Sequence, residues 1–146
     1  MLLLGAKNGT TQTLLTNSLV DFGAVYRRYC KKDCGVRTFD FTSNSIVLQK
    51  SGIYHITISA IVSSATAGDV TLQLFENGVA IPSAIATETI TTPTTEFHTT
   101  TLDYYILVDS DCVLGRTSTL AKSITLVNTG IGATITNIVV NVDKVV

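Results

Sequence analysis

One stretch constrains the fold more than any other: Gly52-Ile53-Tyr54-His55-Ile56-Thr57-Ile58-Ser59-Ala60-Ile61-Val62. Tyr54, Ile56, Ile58, Ala60 and Val62 fall on one side of an extended chain, and His55, Thr57 and Ser59 on the other. A period of two is the signature of a β-strand with one face buried. Ile53 and Ile61 bracket the polar side with apolar groups, so that side is not an ordinary wet surface. We expect it to face copies of itself.

The chain has 146 residues, one domain by length, and a domain of this size buries roughly 70% of its unfolded surface. It is 45% hydrophobic and only 14% charged, against an average of about 25% charged. So few charges imply that more surface is covered than a lone domain can cover. The net charge of −1 argues against nucleic-acid binding, which relies on a basic surface. No apolar run approaches ~18 residues, so no membrane-spanning helix is expected. Leu2-Leu3-Leu4 is broken at Gly5 and lacks the flanks of a secretory signal, which suggests a protein made and kept in a cytosol. Three cysteines (Cys30, Cys34, Cys112) do not make a disulfide framework, and reduced thiols are the default.

In chain order, residues 1–23 interleave turn signals (Asn8-Gly9, Asn17-Ser18) with short apolar pairs. They read as an extended N-terminal arm, with a short strand near Gln12 to Leu15, that packs on a neighbour. Residues 24–146 form the folded domain. Strands are expected over Ala24 to Cys30, Arg37 to Phe41, Ser45 to Gln49, Gly52 to Val62, Val70 to Leu74 and Val79 to Ala86. Further strands are expected over Phe97 to Val108, Ser123 to Val127 and Ala133 to Val146. Asn77-Gly78 between two alternating runs marks a hairpin, because a type I′ turn needs φ > 0 at both central positions. Pro82 marks a bulge in the return strand. Thr87 to Glu96 reads as a Thr-rich loop. No stretch keeps a helical period, so the chain is all-β, and its many short strands fit a sandwich or jelly roll. The last strand should lie centrally in its sheet.

Several of these residues resemble a family. Gly52-Ile53-Tyr54 with Ile56 and Ile58 resembles the strand after a tight turn in trimeric C1q/TNF-like jelly rolls. Gly68 to Leu74 followed by Glu76-Asn77-Gly78-Val79-Ala80-Ile81-Pro82 is similar to the next hairpin in the bacterial and phage branch. That branch includes the C-terminal domain of collagen-like spore-surface glycoproteins and small phage structural proteins. Asp21-Phe22-Gly23 through Arg27-Arg28, and Ala133 to Val140, are similar to the lead-in and closing strands of the short phage members. The resemblance runs from about Gln12 to Val145. It implies an antiparallel jelly-roll protomer, a homotrimer and no enzymatic activity. The chain lacks a Gly-X-Y collagen stretch and the extracellular signal of C1q-type members, which favours the phage branch.

Catalysis would need a nucleophile, a base and an orienting group together. The two histidines, His55 and His98, lie in or beside strands and in no recognised signature. Cys30 and Cys34, three residues apart, are weak evidence for zinc, with Cys112 as a remote third ligand. Packed thiols, or a Cys30–Cys34 disulfide in a mature particle, are the alternatives. Asp103, Asp109 and Asp111 are too loosely spaced to resemble a calcium loop. No cofactor, metal or catalytic residue is therefore expected.

The expected function is that of a bacteriophage virion structural protein. It would be a homotrimeric capsid decoration (auxiliary or head-fibre) protein at the capsid surface, assembled in the bacterial host cytoplasm. His55, Thr57, Ser59, Ile61, Ile135 and Val139 form the expected trimer interface. Leu14, Leu15, Arg27, Arg28, Lys31 and Lys32 are the expected docking residues, since Tyr26 and Tyr29 interleave the basic cluster as at protein interfaces. A solvated turn is the plain alternative for that cluster. The partner would be the major capsid protein or another virion structural protein. The alternative function is a tail or fibre-tip module that recognises host-surface glycans, for which the Thr-rich loop and Phe97 are the sequence candidates.

Overall fold

A computed structural model describes residues 2–29, 39–109 and 121–145. Cys30, Cys34, Cys112, Lys31, Lys32 and Asp111 lie outside the described residues, so the expectations placed on them are not addressed below.

The described residues form twelve β-strands. In chain order they are β1 (Leu2–Asn8), β2 (Gln12–Leu14), β3 (Ser18–Leu19), β4 (Ala24–Arg28), β5 (Phe39–Thr42) and β6 (Ser45–Leu48). β7 (Gly52–Ser63), β8 (Gly68–Glu76), β9 (Val79–Ile90), β10 (His98–Val108), β11 (Lys122–Asn128) and β12 (Ala133–Lys144) follow. The first sheet runs β10-β7-β12-β1-β4, with β2 also pairing β12. The second runs β5-β6-β11-β8-β9, with β3 pairing β11. All pairings are antiparallel, and the two sheets enclose one core. The fold is the expected all-β sandwich.

The core follows the period of two. Tyr54, Ile56, Ile58, Ala60 and Val62 of β7 are buried, opposite Val70, Leu72 and Leu74 of β8 and Ile124 and Leu126 of β11 in the same cluster. Burying one such aliphatic side chain contributes about 1.5–3 kcal/mol. Tyr54 is wholly buried, and its hydroxyl donates to the Lys50 carbonyl oxygen at 2.6 Å. Burial pushes its phenol pKa up to about 12. β12 lies between β7 and β1, so the closing strand is central, as its mixed faces require.

The β8–β9 hairpin turns at Asn77 (φ 50°) and Gly78 (φ 79°), the left-handed pair of a type I′ turn. Beyond it, Gln73 opposes Ile85 while Phe75 opposes Ala80, so β9 bulges across Pro82. The Gln73 amide fills that gap by donating to the Ile81 carbonyl oxygen at 3.0 Å. β9 then continues to Ile90 where a loop was expected from Thr87. Cross-strand bonds hold this part in the sheet, with the Thr71 and Thr87 hydroxyls 3.1 Å apart and Thr89 donating to Asp69 at 2.8 Å.

Two corrections concern the N-terminal third. Residues 2–23 are not an arm lying on a neighbour: β1 is an interior strand between β12 and β4. Leu3, Leu4, Ala6, Leu14, Val20 and Phe22 are buried in the common core. Six apolar side chains removed from water outweigh the turn-rich polar residues between them, which lie along the surface. Leu14 is accordingly a core residue and is not exposed for docking; Leu15 beside it is 73% exposed.

A third correction concerns Ile135, expected at a trimer interface. Thr136 opposes Ile61 and Val139 opposes Ser59, so β12 carries one extra residue there, with Asn137 at φ 54°. One inserted residue reverses the inward and outward sides of a strand. Ile135 therefore points into the protomer core and is fully buried, while Val139 points outward.

At one end of the sandwich the connections are laced together. The Asn17 amide donates to the Asn128 carbonyl oxygen at 2.6 Å, Thr16 to Gly130 at 2.7 Å, Ser64 to Gly132 at 2.7 Å and the Thr94 amide to Ser64 at 2.9 Å. Buried Asn128 anchors its turn by donating to the Ile131 carbonyl oxygen at 2.8 Å and accepting from the Gly130 amide at 3.2 Å.

Candidate functional site: the outer face of the first sheet

The alternate residues of β7 that do not enter the core lie on the outer face of the first sheet. His55, Thr57, Ser59 and Ile61 are all half-buried there. The strand pairings set their neighbours. Thr57 lies between Asp103 of β10 and Asn141 of β12, and Ser59 between Thr101 and Val139. His55 lies between Tyr105 and Asp143, and Ile61 between Thr99 and Thr136. The structure thus brings five of the six expected interface residues together: His55, Thr57, Ser59, Ile61 and Val139.

The centre of this face is uncharged. Thr57, Ser59, Thr101, Val139 and Asn141, with Asp103 at the rim, line an open depression of about 300 Å³. Its floor is short side chains, so the sheet dips where threonine and serine replace larger residues. The rim toward β10 carries exposed apolar surface, with Tyr105 59% and Leu107 55% exposed.

His55 does not stand free on this face. Its Nε2 pairs with an Asp103 carboxylate oxygen, and its ring stacks on Tyr105 with centroids 4.4 Å apart and planes 14° from parallel. His98 likewise faces carboxylates, with a hydrogen bond to Glu96 at 3.0 Å and the Glu88 carboxylate 3.8 Å from its other ring nitrogen. Glu96 is in turn held by the Thr91 and Thr92 amides at 2.6 and 2.8 Å. The Thr92 amide, then His98, then the Thr91 amide stabilise its charged form and lower its pKa to about 2. Both histidines thus have the surroundings of structural ties, each held against carboxylates.

Toward the other lateral edge the face changes character. The Tyr26 ring of β4 lies across Gly5 of β1, and its hydroxyl donates to the Asn141 side-chain oxygen. A Cβ on residue 5 would come within 2.4 Å of that ring, so only glycine lets Tyr26 lie flat on the sheet. The Lys7 ammonium sits 5.6 Å from the Tyr26 ring centroid, a cation–π contact. Arg27, paired with Gly5 across the ladder, is exposed beside it.

Among the described residues, the expected docking residues are not one patch. Leu15 sits at the laced end, beside Ser64, Ala65 and Gly132. Arg28 pairs with Leu4, which opposes Val142, whereas Leu14 opposes Ala133, so most of β12 separates them. The Arg28 guanidinium lies 5.3 Å from the Phe39 ring centroid at the sandwich edge.

The sequence expectations missed Asp103, Tyr105, Asn141, Gly5, Tyr26 and Lys7 as parts of this face. A signal for β10 was present: Leu102, Tyr104, Ile106 and Val108 alternate, which places Thr101, Asp103, Tyr105 and Leu107 on the opposite side. Nothing comparable in the sequence says that β10 and β1 flank β7 and β12.

No protein-family model and no curated protein matches the sequence. The fold is similar to solved structures. The globular domain of zebrafish complement 1qA protein aligns over 98% of this chain and 96% of its own, at 9% identity and a TM-score of 0.62. The vertex protein P5 of PRD1 aligns over 94% of both chains at 19% identity, with a TM-score of 0.47. A CBM35 module from Cellvibrio japonicus aligns over 97% and 96% at 12% identity, with a TM-score of 0.40. The first of these likenesses defines the class of fold: this chain is a C1q-like β-sandwich jelly roll.

Proposed function

We propose that this chain is a non-catalytic structural module that assembles as a homotrimer through the outer face of its first sheet. The assembly serves as a decoration protein, auxiliary or head-fibre in type, on a bacteriophage capsid. The observation that carries the assembly is the face itself. Thr57, Ser59, Ile61, Val139 and Asn141 form an uncharged, half-buried centre on a sheet whose other side already holds the protomer core. A homo-oligomer built about a threefold axis covers such a face with copies of itself. The likeness of the Gly68 to Leu74 and Glu76 to Pro82 hairpin to the bacterial and phage branch of the C1q/TNF-like jelly rolls supports the virion role. The low charge of the chain and the jelly-roll fold agree with it.

Two measurements test the proposal in turn. Sedimentation of the purified chain should give three times the monomer mass, and a monomer at the highest attainable concentration overturns it. The trimer should then cosediment with assembled capsids that lack decoration, in a saturable manner. Saturable binding to a glycan array in place of capsid binding would instead support the host-glycan reading.

A further inference from the structure

The outer face of the first sheet is electrically lopsided, and the two sides lie in register. One ladder row runs Asp103, Thr57, Asn141, Gly5, Arg27 from β10 across to β4. The neighbouring row runs Thr101, Ser59, Val139, Lys7. The acidic end and the basic end are separated by four strand spacings, about 19 Å. Asp103 is 64% exposed at its side chain even while it pairs with His55. Lys7 and Arg27 are exposed at the opposite edge. Beside the acid lie exposed Tyr105 and Leu107, and beside the bases lies Tyr26, 49% exposed and held flat over Gly5.

A face with unlike lateral edges suits a head-to-tail contact, in which each copy presents a different edge to each of its two neighbours. We infer that the β10 edge of one copy, through Asp103, Tyr105 and Leu107, packs on the β1–β4 edge of the next, through Lys7, Arg27 and Tyr26. The occupant of this surface is therefore a second copy of the same chain, and the inference rests on the trimer proposed above. Opposite charges at the two edges steer the encounter and set its register, while like edges repel. The flat Tyr26 ring gives the apolar pair Tyr105 and Leu107 a broad surface to cover. Three such contacts close a ring and leave no edge unsatisfied.

Charge exchange tests this on the full chain. Asp103→Lys alone should place a base against Lys7 and Arg27 and weaken trimerisation at least tenfold. Lys7→Glu with Arg27→Glu should do the same by opposing acids. The three substitutions combined in one chain should restore the trimer, and circular dichroism of each variant controls for folding. Mixing the two defective variants adds a geometric readout. A closed ring of three built from two kinds of chain must contain one like-with-like contact, so mixing should not restore a full trimer. Recovery on mixing, as face-to-face dimers, overturns the head-to-tail arrangement. A wild-type trimer unmoved by either charge change overturns the edge pairing and leaves the trimer standing. A wild-type monomer overturns both.

Discussion

The two faces of β7 come from alternate residues of one strand, yet they end in different surroundings. Tyr54, Ile56, Ala60 and Val62 are 0–1% exposed and Ile58 is 3% exposed, whereas His55, Thr57, Ser59 and Ile61 stay half-open. The inward face is closed by the second sheet of the same molecule. The outward face has chemistry intermediate between a core and a surface: short polar side chains and single apolar groups, with charge pushed to the rims. A strand with one finished and one unfinished face teaches that, under the proposed assembly, folding and association rest on different residues. Substitutions should sort by face.

The largest effect is expected from Ile135→Ala. Because the bulge at Asn137 turns Ile135 inward, its truncation should cost about 2–5 kcal/mol, read as a lowered denaturant midpoint. Val139→Ala, four residues on and outward, should cost about 1 kcal/mol or less and act on assembly instead. Equal losses of stability at the two positions would erase the contrast between the faces.

Next comes Ser59→Arg, which puts a long charged side chain into the uncharged depression. Monomer stability should move by only about 0.5–1 kcal/mol, since the site is on the surface of the protomer. Trimer should be lost in sedimentation. A variant that stays trimeric would mean that the depression faces solvent.

A smaller effect tests the basic edge. Gly5→Ala drives a Cβ into the Tyr26 ring, which must swing off the sheet and release Asn141. The expected cost is about 1 kcal/mol of protomer stability, matched by Tyr26→Phe if the hydroxyl is the main contributor. Thermal melts of both variants check this, and trimerisation should weaken in Gly5→Ala more than in Tyr26→Phe.

The smallest effect is local and lies off the face. The folded pKa of Glu96 is lowered from 4.5 to about 2, so its charged form is the one the loop holds. The tie is fully present above about pH 4.5 and is lost as the pH falls through about 2. Protection of the Thr91 and Thr92 amides from hydrogen exchange, taken relative to their intrinsic rates, should fall over that window, and Glu96→Gln should lower it at neutral pH.

Much of the sandwich was legible because its signals are local. Alternation in Gly52 to Val62 marks a strand whatever it pairs with, and Asn77-Gly78 can hardly do other than turn a hairpin. Pro82 cannot donate to a ladder, so a bulge beside it follows. The misreadings share a different cause. Residues 1–23 read as an arm because frequent turn residues hide six apolar side chains whose partners are distant in the sequence, β12 beside β1 and β2 and β11 beside β3 and Val20. A count of odd and even positions puts Ile135 on the outer face with Val139, because a single-residue bulge is invisible to it. Thr87 to Ile90 looked like a loop, and cross-strand bonds to Thr71 and Asp69 keep it extended.

By itself, then, the sequence determined that this protein is all-β, that β7 has one apolar and one polar face, and that its last strand lies inside a sheet. These follow from side-chain periodicity and backbone chemistry, which act within a few residues. The tertiary structure alone decided which strands lie beside β7, and so which groups share the outer face. Strand order and register depend on burying apolar groups far apart in the chain. That is why Asp103 and Arg27, 76 positions apart by number, stand at opposite ends of one ladder row.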